Sequence, residues 1–293
     1  MNQTSFAPIF ILHGWTLDPS TPSKWEPFIN QLQQKGFEPT LLKIPGLSSE
    51  LKQTWELADY QSWLKMVLPD RKVILLGHSF GGQLAASFTA RFPEIVEQLI
   101  LVDSAGVRQK KGLALIKTRV FKLLAKTGKL GVRLLSLGSN QLESKLEAVL
   151  RRLLYFLARE RDYYQSPPEL RQTLANVLQA DIQDILSKIS VPTLLIWGQE
   201  DKSTPLNDAM IFNNKIPQSR LEVIKDARHS PQYTQPELTA SLVSDFLIKQ
   251  ESRSGGRREI ERIEGAREGK VRDGEAKEGG AREGKVRDGE AKP

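Results

Sequence analysis

Ser79 stands in the stretch VILLGHSFGG, residues Val73 to Gly82, where an apolar run passes directly into Gly77-His78-Ser79-Phe80-Gly81-Gly82. A serine at the end of a buried strand, with glycine two residues before and two after it, fits a G-x-S-x-G turn between strand and helix. Such a turn strains the serine backbone so that the hydroxyl projects above the sheet. The residues two before and two after crowd each other, which demands Gly77 and Gly81, and Gly82 lets the helix pack close. The helix start also directs free N–H groups at the serine, favouring developing negative charge. The chemistry this arrangement serves is nucleophilic attack.

A serine hydroxyl needs a general base, and the chain offers only His13, His78 and His229. His78 adjoins Ser79, but neighbouring side chains on this turn diverge. His13 precedes the serine, in the loop after the first strand. His229 lies in DARHSPQYTQPE, after the last predicted strand, where a loop returns over the top of the sheet. Elimination and chain order both select His229.

A third group should hold the imidazole in one tautomer and stabilise its protonated form. Asp201, in TLLIWGQEDKSTP, follows a strand at its carboxyl end, where open parallel sheets place their ligands. Glu200 points elsewhere if Asp201 points in. The rival is Asp103, which ends the fourth strand in LILVDSAG. Two N–H donors must then bind the oxyanion: the backbone of Phe80, next to the nucleophile, and that of Trp15 in ILHGWT, where Gly14 allows close approach.

These residues need a scaffold. Apolar, β-branched-rich runs at Pro8–Leu12, Pro39–Ile44, Val73–Leu76, Leu99–Val102, Thr193–Trp197 and Leu221–Ile224 read as strands buried on both faces. Helical patterns fall at Trp25–Lys35, Tyr60–Val67, Gly82–Arg91 and Pro236–Lys249. The alternation predicts an α/β fold: a mainly parallel six-stranded sheet with helices on both faces. Between the fourth and fifth strands the rhythm breaks. KTRVFKLLAKTGKL and KLEAVLRRLLYFLARERDYY carry apolar residues at three- and four-residue spacing, so residues 106–189 read as a helical cap inserted in a core of residues 1–105 and 190–250.

Charge is unevenly placed. The chain of 293 residues carries a formal +7, while Gly106–Ser190 alone holds 16 Lys and Arg against 7 Asp and Glu. A basic cap suits an anionic substrate, an acidic partner protein or peripheral contact with a membrane surface. Residues 251–293 contain no Phe, Trp, Tyr, Leu or Met and repeat GAREGKVRDGEAK at Gly265–Lys277 and Gly280–Lys292, which predicts a disordered charged tail. With no cysteine, disulfides and thiolate metal sites are excluded. No apolar stretch is long enough for a membrane span and no basic, signal-like leader precedes the first strand, so a cytoplasmic protein is expected. No cofactor and no nucleic-acid partner are expected.

Taken together, HGW after the first strand, GHSFGG, LIWGQED with the following TP, and ARHSP resemble the α/β-hydrolase superfamily over roughly residues 6–250. The resemblance implies a nucleophile, acid and base at Ser79, Asp201 and His229, oxyanion donors at Trp15 and Phe80, and a cap at the basic helical segment. It also implies that the chain begins at the family's third strand. Relatives that open epoxides or displace halide carry Asp at the nucleophile position, so those activities are not implied. Two departures stand out: Arg228 replaces the usual glycine before the histidine, and the loop Leu17–Lys24 is long and rich in proline. The narrower resemblance is to small carboxylesterases, including the esterase that acts on pimeloyl methyl ester attached to acyl carrier protein. The function expected is hydrolysis of a carboxylic ester or thioester through an acyl-enzyme. The alternatives are a lyase or synthase using the same triad for proton abstraction, and a non-catalytic binding protein.

Overall fold

The computed structural model describes residues 6–107 and 166–252. The two basic amphipathic segments of the expected cap and the repeated tail lie outside the described residues. The chain divides into two compact units, Met1–Ser244 and Asp245–Pro293. What is described of the second is the end of a helix that covers residues 236–252.

Six strands form one sheet: β1 (Ile9–Leu12), β2 (Pro39–Leu41), β3 (Val73–His78), β4 (Val96–Val102), β5 (Thr193–Gly198) and β6 (Ser219–Ile224). Their spatial order is β2-β1-β3-β4-β5-β6, and every pairing is parallel. Among the described residues, the helices that accompany them include α1 (Thr21–Gln34), α2 (Leu57–Val67), α3 (Phe80–Arg91), α4 (Pro168–Gln179), α5 (Leu206–Lys215) and the single turn α6 (Pro231–Thr234). The chain steps one way from β1 to β2 and the other way from β3 through β6. Because parallel crossovers are right-handed, this reversal puts α1 on one face and α2, α3 and α5 on the other. Accordingly α2 packs on α3, and α1 packs on α6.

The centre of the sheet is apolar through its whole thickness. All six residues of β3 and all six of β5 are buried, and each fully buried Leu, Ile or Val contributes about 1.5–3 kcal/mol. The edges differ from the sequence expectation. β2 ends at Leu41 rather than Ile44, and β6 is only half-buried, alternating Arg220 and Glu222 with Leu221 and Val223. An edge strand has one unpaired side, and charge along it discourages pairing with another chain.

Helix starts also shift. The proline-rich Leu17–Lys24 is not all loop: α1 begins at Thr21, with Pro22 in its first two positions, where a missing N–H costs nothing. α3 begins at Phe80, directly after the serine, so no residue separates turn from helix.

Between β4 and β5 the described residues include α4 and a 3-10 turn at Leu186–Lys188. The Gln83 amide, on α3, donates to the carbonyls of Val177 (2.9 Å) and Ala180 (2.8 Å). The Val177 carbonyl also accepts from the Ala180 N–H, so the Gln83 amide adds a second donor at the end of α4. The Trp55 N–H donates to the Thr173 hydroxyl at 2.8 Å. The inserted segment is thereby tied to the helix that follows the candidate nucleophile. Among the described residues no helix is long and apolar enough to cross a membrane.

Candidate active site

The strand order reverses between β1 and β3, and open α/β sheets bind ligands at the carboxyl ends of the strands flanking such a reversal. Ser79 follows β3 there and Gly14 follows β1. Ser79 has φ 53° and ψ −117°, a conformation a non-glycine residue adopts only when its surroundings impose it. The imposition comes from β4: the Ser79 N–H donates to the Val102 carbonyl (3.1 Å), and the Ser79 carbonyl accepts from Ala105 N–H (3.0 Å).

The glycine requirement is met with one correction. A Cβ on Gly77 would collide with the carbonyl of Gly81, as the sequence predicts, but a Cβ on Gly81 would strike the carbonyl of Leu12. Gly81 is therefore small because β1 ends against α3, not because of Gly77. Gly82 lies against Ser104.

His229 Nε2 lies 3.0 Å from Ser79 Oγ, across 150 residues of sequence. Its Nδ1 lies 2.7 Å from Asp201 Oδ2, and since a carboxylate there accepts, Nδ1 carries the proton and Nε2 is left to accept from the serine. The Asp201 side chain is fully buried and the His229 side chain about one quarter exposed. Asp201 Oδ1 also accepts from the N–H groups of Ser203 (2.7 Å) and Thr204 (3.1 Å), and Oδ2 from the Thr204 hydroxyl (2.6 Å). Burial pushes the Asp201 carboxyl up, but the bonds from His229 and Thr204 outweigh it and hold it below the usual carboxylate range. The Asp201 loop is anchored in turn by Trp197, whose indole N–H donates to the Thr204 carbonyl at 2.8 Å.

Asp103, the rival acid, does not bond to the His229 ring. Its Oδ1 accepts from Gly198 N–H (2.8 Å) and its Oδ2 from Ser230 N–H (2.9 Å). It is fully buried, and desolvation raises its carboxyl to about 7. Glu200 points away, with Arg228 3.7 Å from it, and the Arg228 side chain is 84% exposed. The Arg228 side chain therefore faces solvent.

The other two histidines take supporting positions. His78 is buried, its Nε2 3.2 Å from the Ser230 hydroxyl, and burial pushes its basicity far down. His13 is buried beside the first loop; its Nδ1 lies 2.8 Å from the Gly14 carbonyl and its Nε2 2.8 Å from Ser48 Oγ. Gly14 lies against His78 and Ser79, where a Cβ would come within 3.2 Å of Ser79 Cβ. Trp15 stacks edge-on against Phe80 at 5.2 Å. The loop carrying Trp15 and the turn carrying Phe80 thus meet beside the serine. A cavity of about 460 Å³ borders the same loop at His13, Thr16, Leu17, Leu42, Leu47 and Ser48. A nitrogen of each of His78 and His229 and an oxygen of Asp103 lie within 4.8 Å of one another. Both oxygens of Asp103 and both ring nitrogens of His229 are already hydrogen-bonded, so this cluster is not a free donor set for a cation.

Sequence reasoning missed Thr204, Ser230 and Ser48. The first two had a signal: each lies within three residues of a candidate, Thr204 after Asp201 and Ser230 after His229. Ser48 had none, because its contact to His13 spans 35 residues of loop and helix.

Comparison with known proteins identifies the fold family. A family model described as alpha/beta hydrolase fold matches residues 7–236. The chain is 28% identical over 261 residues to the AB hydrolase superfamily protein YisY of Bacillus subtilis, covering 82% of this chain and 91% of that one. It is 27% identical over 259 residues to the pimeloyl-[acyl-carrier protein] methyl ester esterase of Neisseria meningitidis, covering 82% and 92%. Among solved structures, MenH from S. aureus shares the fold with a TM-score of 0.60 at 21% identity, covering 85% of this chain and 96% of that one. The chain belongs to the alpha/beta hydrolase fold family.

Proposed function

We propose that this hydrolase cleaves a carboxylic ester or thioester by way of an acyl-enzyme on Ser79. The observation that carries the reading is the continuous hydrogen-bonded path Ser79 Oγ, His229 Nε2, His229 Nδ1, Asp201 Oδ2, with distances of 3.0 and 2.7 Å. Ser79 attacks the substrate carbonyl while its proton passes to His229 Nε2. The imidazolium so formed is stabilised by Asp201, and returns the proton to the departing alcohol or thiol. Water then repeats the sequence on the acyl-enzyme, with His229 again taking the proton, and releases the acid. The N–H groups of Phe80 and Trp15 bind the oxyanion in both halves; one such donor contributes about 3–4 kcal/mol to the transition state.

The substrate class we favour is an acyl group presented on an acidic acyl carrier protein. Its support is the excess of Lys and Arg over Gly106–Ser190, together with the likeness to the pimeloyl-[acyl-carrier protein] methyl ester esterase. In this reading residues 106–189 form the cap that meets the carrier, residues 1–105 and 190–250 form the catalytic core, and residues 251–293 are an appended tail.

The test is labelling with a fluorophosphonate probe, with Ser79→Ala as control, followed by turnover of p-nitrophenyl esters of graded chain length. Labelling confined to Ser79 and ester turnover are expected. Labelling that persists in Ser79→Ala, or its absence from the wild type, would overturn the reading.

A further inference from the structure

Ser230, the residue after the candidate base, is held from two directions by groups the proposed reaction does not use. Its backbone N–H donates to Asp103 Oδ2 at 2.9 Å, and its hydroxyl lies 3.2 Å from His78 Nε2. Ser230 has φ 131° and ψ 57°, a conformation that persists only when neighbours over-determine it. Asp103 does more than hold one N–H. Its other oxygen accepts from Gly198, the last residue of β5, from which the Asp201 loop departs. One carboxylate therefore ties the strand that delivers the acid to the segment that delivers the base. Backbone packing reinforces the tie: a Cβ on Gly198 would collide with the carbonyl of Arg228, the residue before His229.

We propose that Asp103 and His78 are positioning residues for His229, gripping Ser230 so that the imidazole stays between Ser79 and Asp201, and that the grip requires Asp103 as a carboxylate. The inference rests on the serine-hydrolase reading above. The chemistry of the acceptor explains the requirement. Two N–H donors converge on Asp103, one on each oxygen. A carboxylate satisfies both, whereas a protonated carboxyl turns one oxygen into a donor that must point away from an N–H. The titratable groups facing Asp103 are His78 from the end of β3, kept neutral by burial, Asp201 from beyond β5 and His229 from beyond β6. Burial and the nearby Asp201 raise Asp103 to about 7, although the two N–H bonds and His229 oppose the rise. Near neutrality, then, the grip tightens and loosens with pH.

Protonation of Asp103 consequently adds a second acid-side loss to the one any enzyme shows whose general base must be unprotonated to act. The experiment is the pH profile of kcat/KM on a p-nitrophenyl ester, over the range in which circular dichroism shows the fold intact. The wild type should fall with a slope approaching two at the acid end. Asp103→Asn places an NH2 against one of the two N–H donors at every pH. It should lower kcat by roughly 10–100-fold, the scale of a small misplacement of a reacting group, leave KM within about threefold, and reduce the acid slope to one. His78→Asn, which releases the Ser230 hydroxyl and the ring contact to His229 but leaves both N–H bonds to Asp103, should lower kcat less and keep the slope of two. A wild-type slope of one overturns the inference even if Asp103→Asn fails to fold, and so does an Asp103→Asn enzyme with wild-type kcat and slope. Fluorophosphonate titration of Ser79 in the same samples separates the outcomes. An unlabelled wild type defeats the hydrolase reading, whereas a fully labelled enzyme with an unchanged profile defeats only the role of Asp103.

Discussion

His13 donates its Nδ1 proton to the carbonyl of Gly14 across 2.8 Å, and that bond sets the direction in which the Trp15 N–H points. The carbonyl of Gly14 and the N–H of Trp15 belong to one planar trans peptide, in which the two groups point opposite ways. Holding the carbonyl toward the His13 ring sends the N–H to the other side. The carbonyl, which can only accept, fixes the proton on Nδ1, so Nε2 accepts from the Ser48 hydroxyl 2.8 Å away. His13→Ala should therefore free this peptide and lower kcat by about 10²-fold, the scale of losing one oxyanion donor, with little change in KM. Ser48→Ala removes only the hydroxyl that supports Nε2 and should cost several-fold at most. Steady-state kinetics on one ester decides both, and a His13→Ala enzyme with unchanged kcat would detach the loop from oxyanion binding.

Thr204 gives the acid loop a hydroxyl donor, 2.6 Å from the oxygen of Asp201 that also meets His229. Thr204→Val keeps the shape and removes the donor. Hydrogen bonds to charged groups contribute about 1.5–3 kcal/mol, so urea unfolding should show a loss at the low end of that range, because Ser203 and the Thr204 backbone still serve Asp201. With less support for its charged form, Asp201 should titrate higher. The stability that the charged carboxyl contributes should then be lost at a higher pH in Thr204→Val than in the wild type as the solution is acidified, which urea unfolding across acid pH reads.

Burial depresses the basicity of His13, so the folded protein binds fewer protons there than the unfolded chain does. The sign follows: unfolding takes up a proton below the ordinary histidine value of 6.5, and stability contributed by neutral His13 is complete above that value and declines as pH falls through it. His13→Asn lacks this loss. Its stability deficit relative to wild type, measured by urea unfolding, should be largest near pH 7.5 and shrink toward pH 5. A deficit independent of pH would show that His13 is not held neutral.

Gly77 leaves no space for a side chain, since a Cβ would overlap the Gly81 carbonyl and the Gly82 Cα, both backbone atoms of the turn. Backbone cannot rotate away as a side chain can, so Gly77→Ala should push Ser79 out of its conformation. Overpacking costs about 1–3 kcal/mol, and Tm should fall accordingly. Fluorophosphonate labelling should fall further than Tm does, because the strain is concentrated at Ser79, the nucleophile proposed above.

The strand centres were legible because β3 and β5 are apolar at nearly every position, a pattern that a half-exposed element cannot tolerate. Edges were less legible. Leu221 and Val223 look like core in sequence, yet they alternate with Arg220 and Glu222 on a strand that has only one neighbour. Proline misled at Pro22, where the same residue that marks a loop also starts a helix.

Ser79 and Gly77 were legible in local sequence, because Gly77 meets Gly81 within five residues, whereas Leu12 and Ser104, distant in sequence, are what keep Gly81 and Gly82 small. His229 followed from there being only three histidines to choose among. What only the tertiary structure decided is how four strand ends are bonded to one another at the site. Asp103 and Asp201 both end apolar strands and carry the same functional group. They part because one carboxylate meets the N–H groups of Gly198 and Ser230 and the other meets the His229 ring. Those partners lie 95, 127 and 28 residues away, and such distances close only when the parallel sheet brings its carboxyl ends into one row.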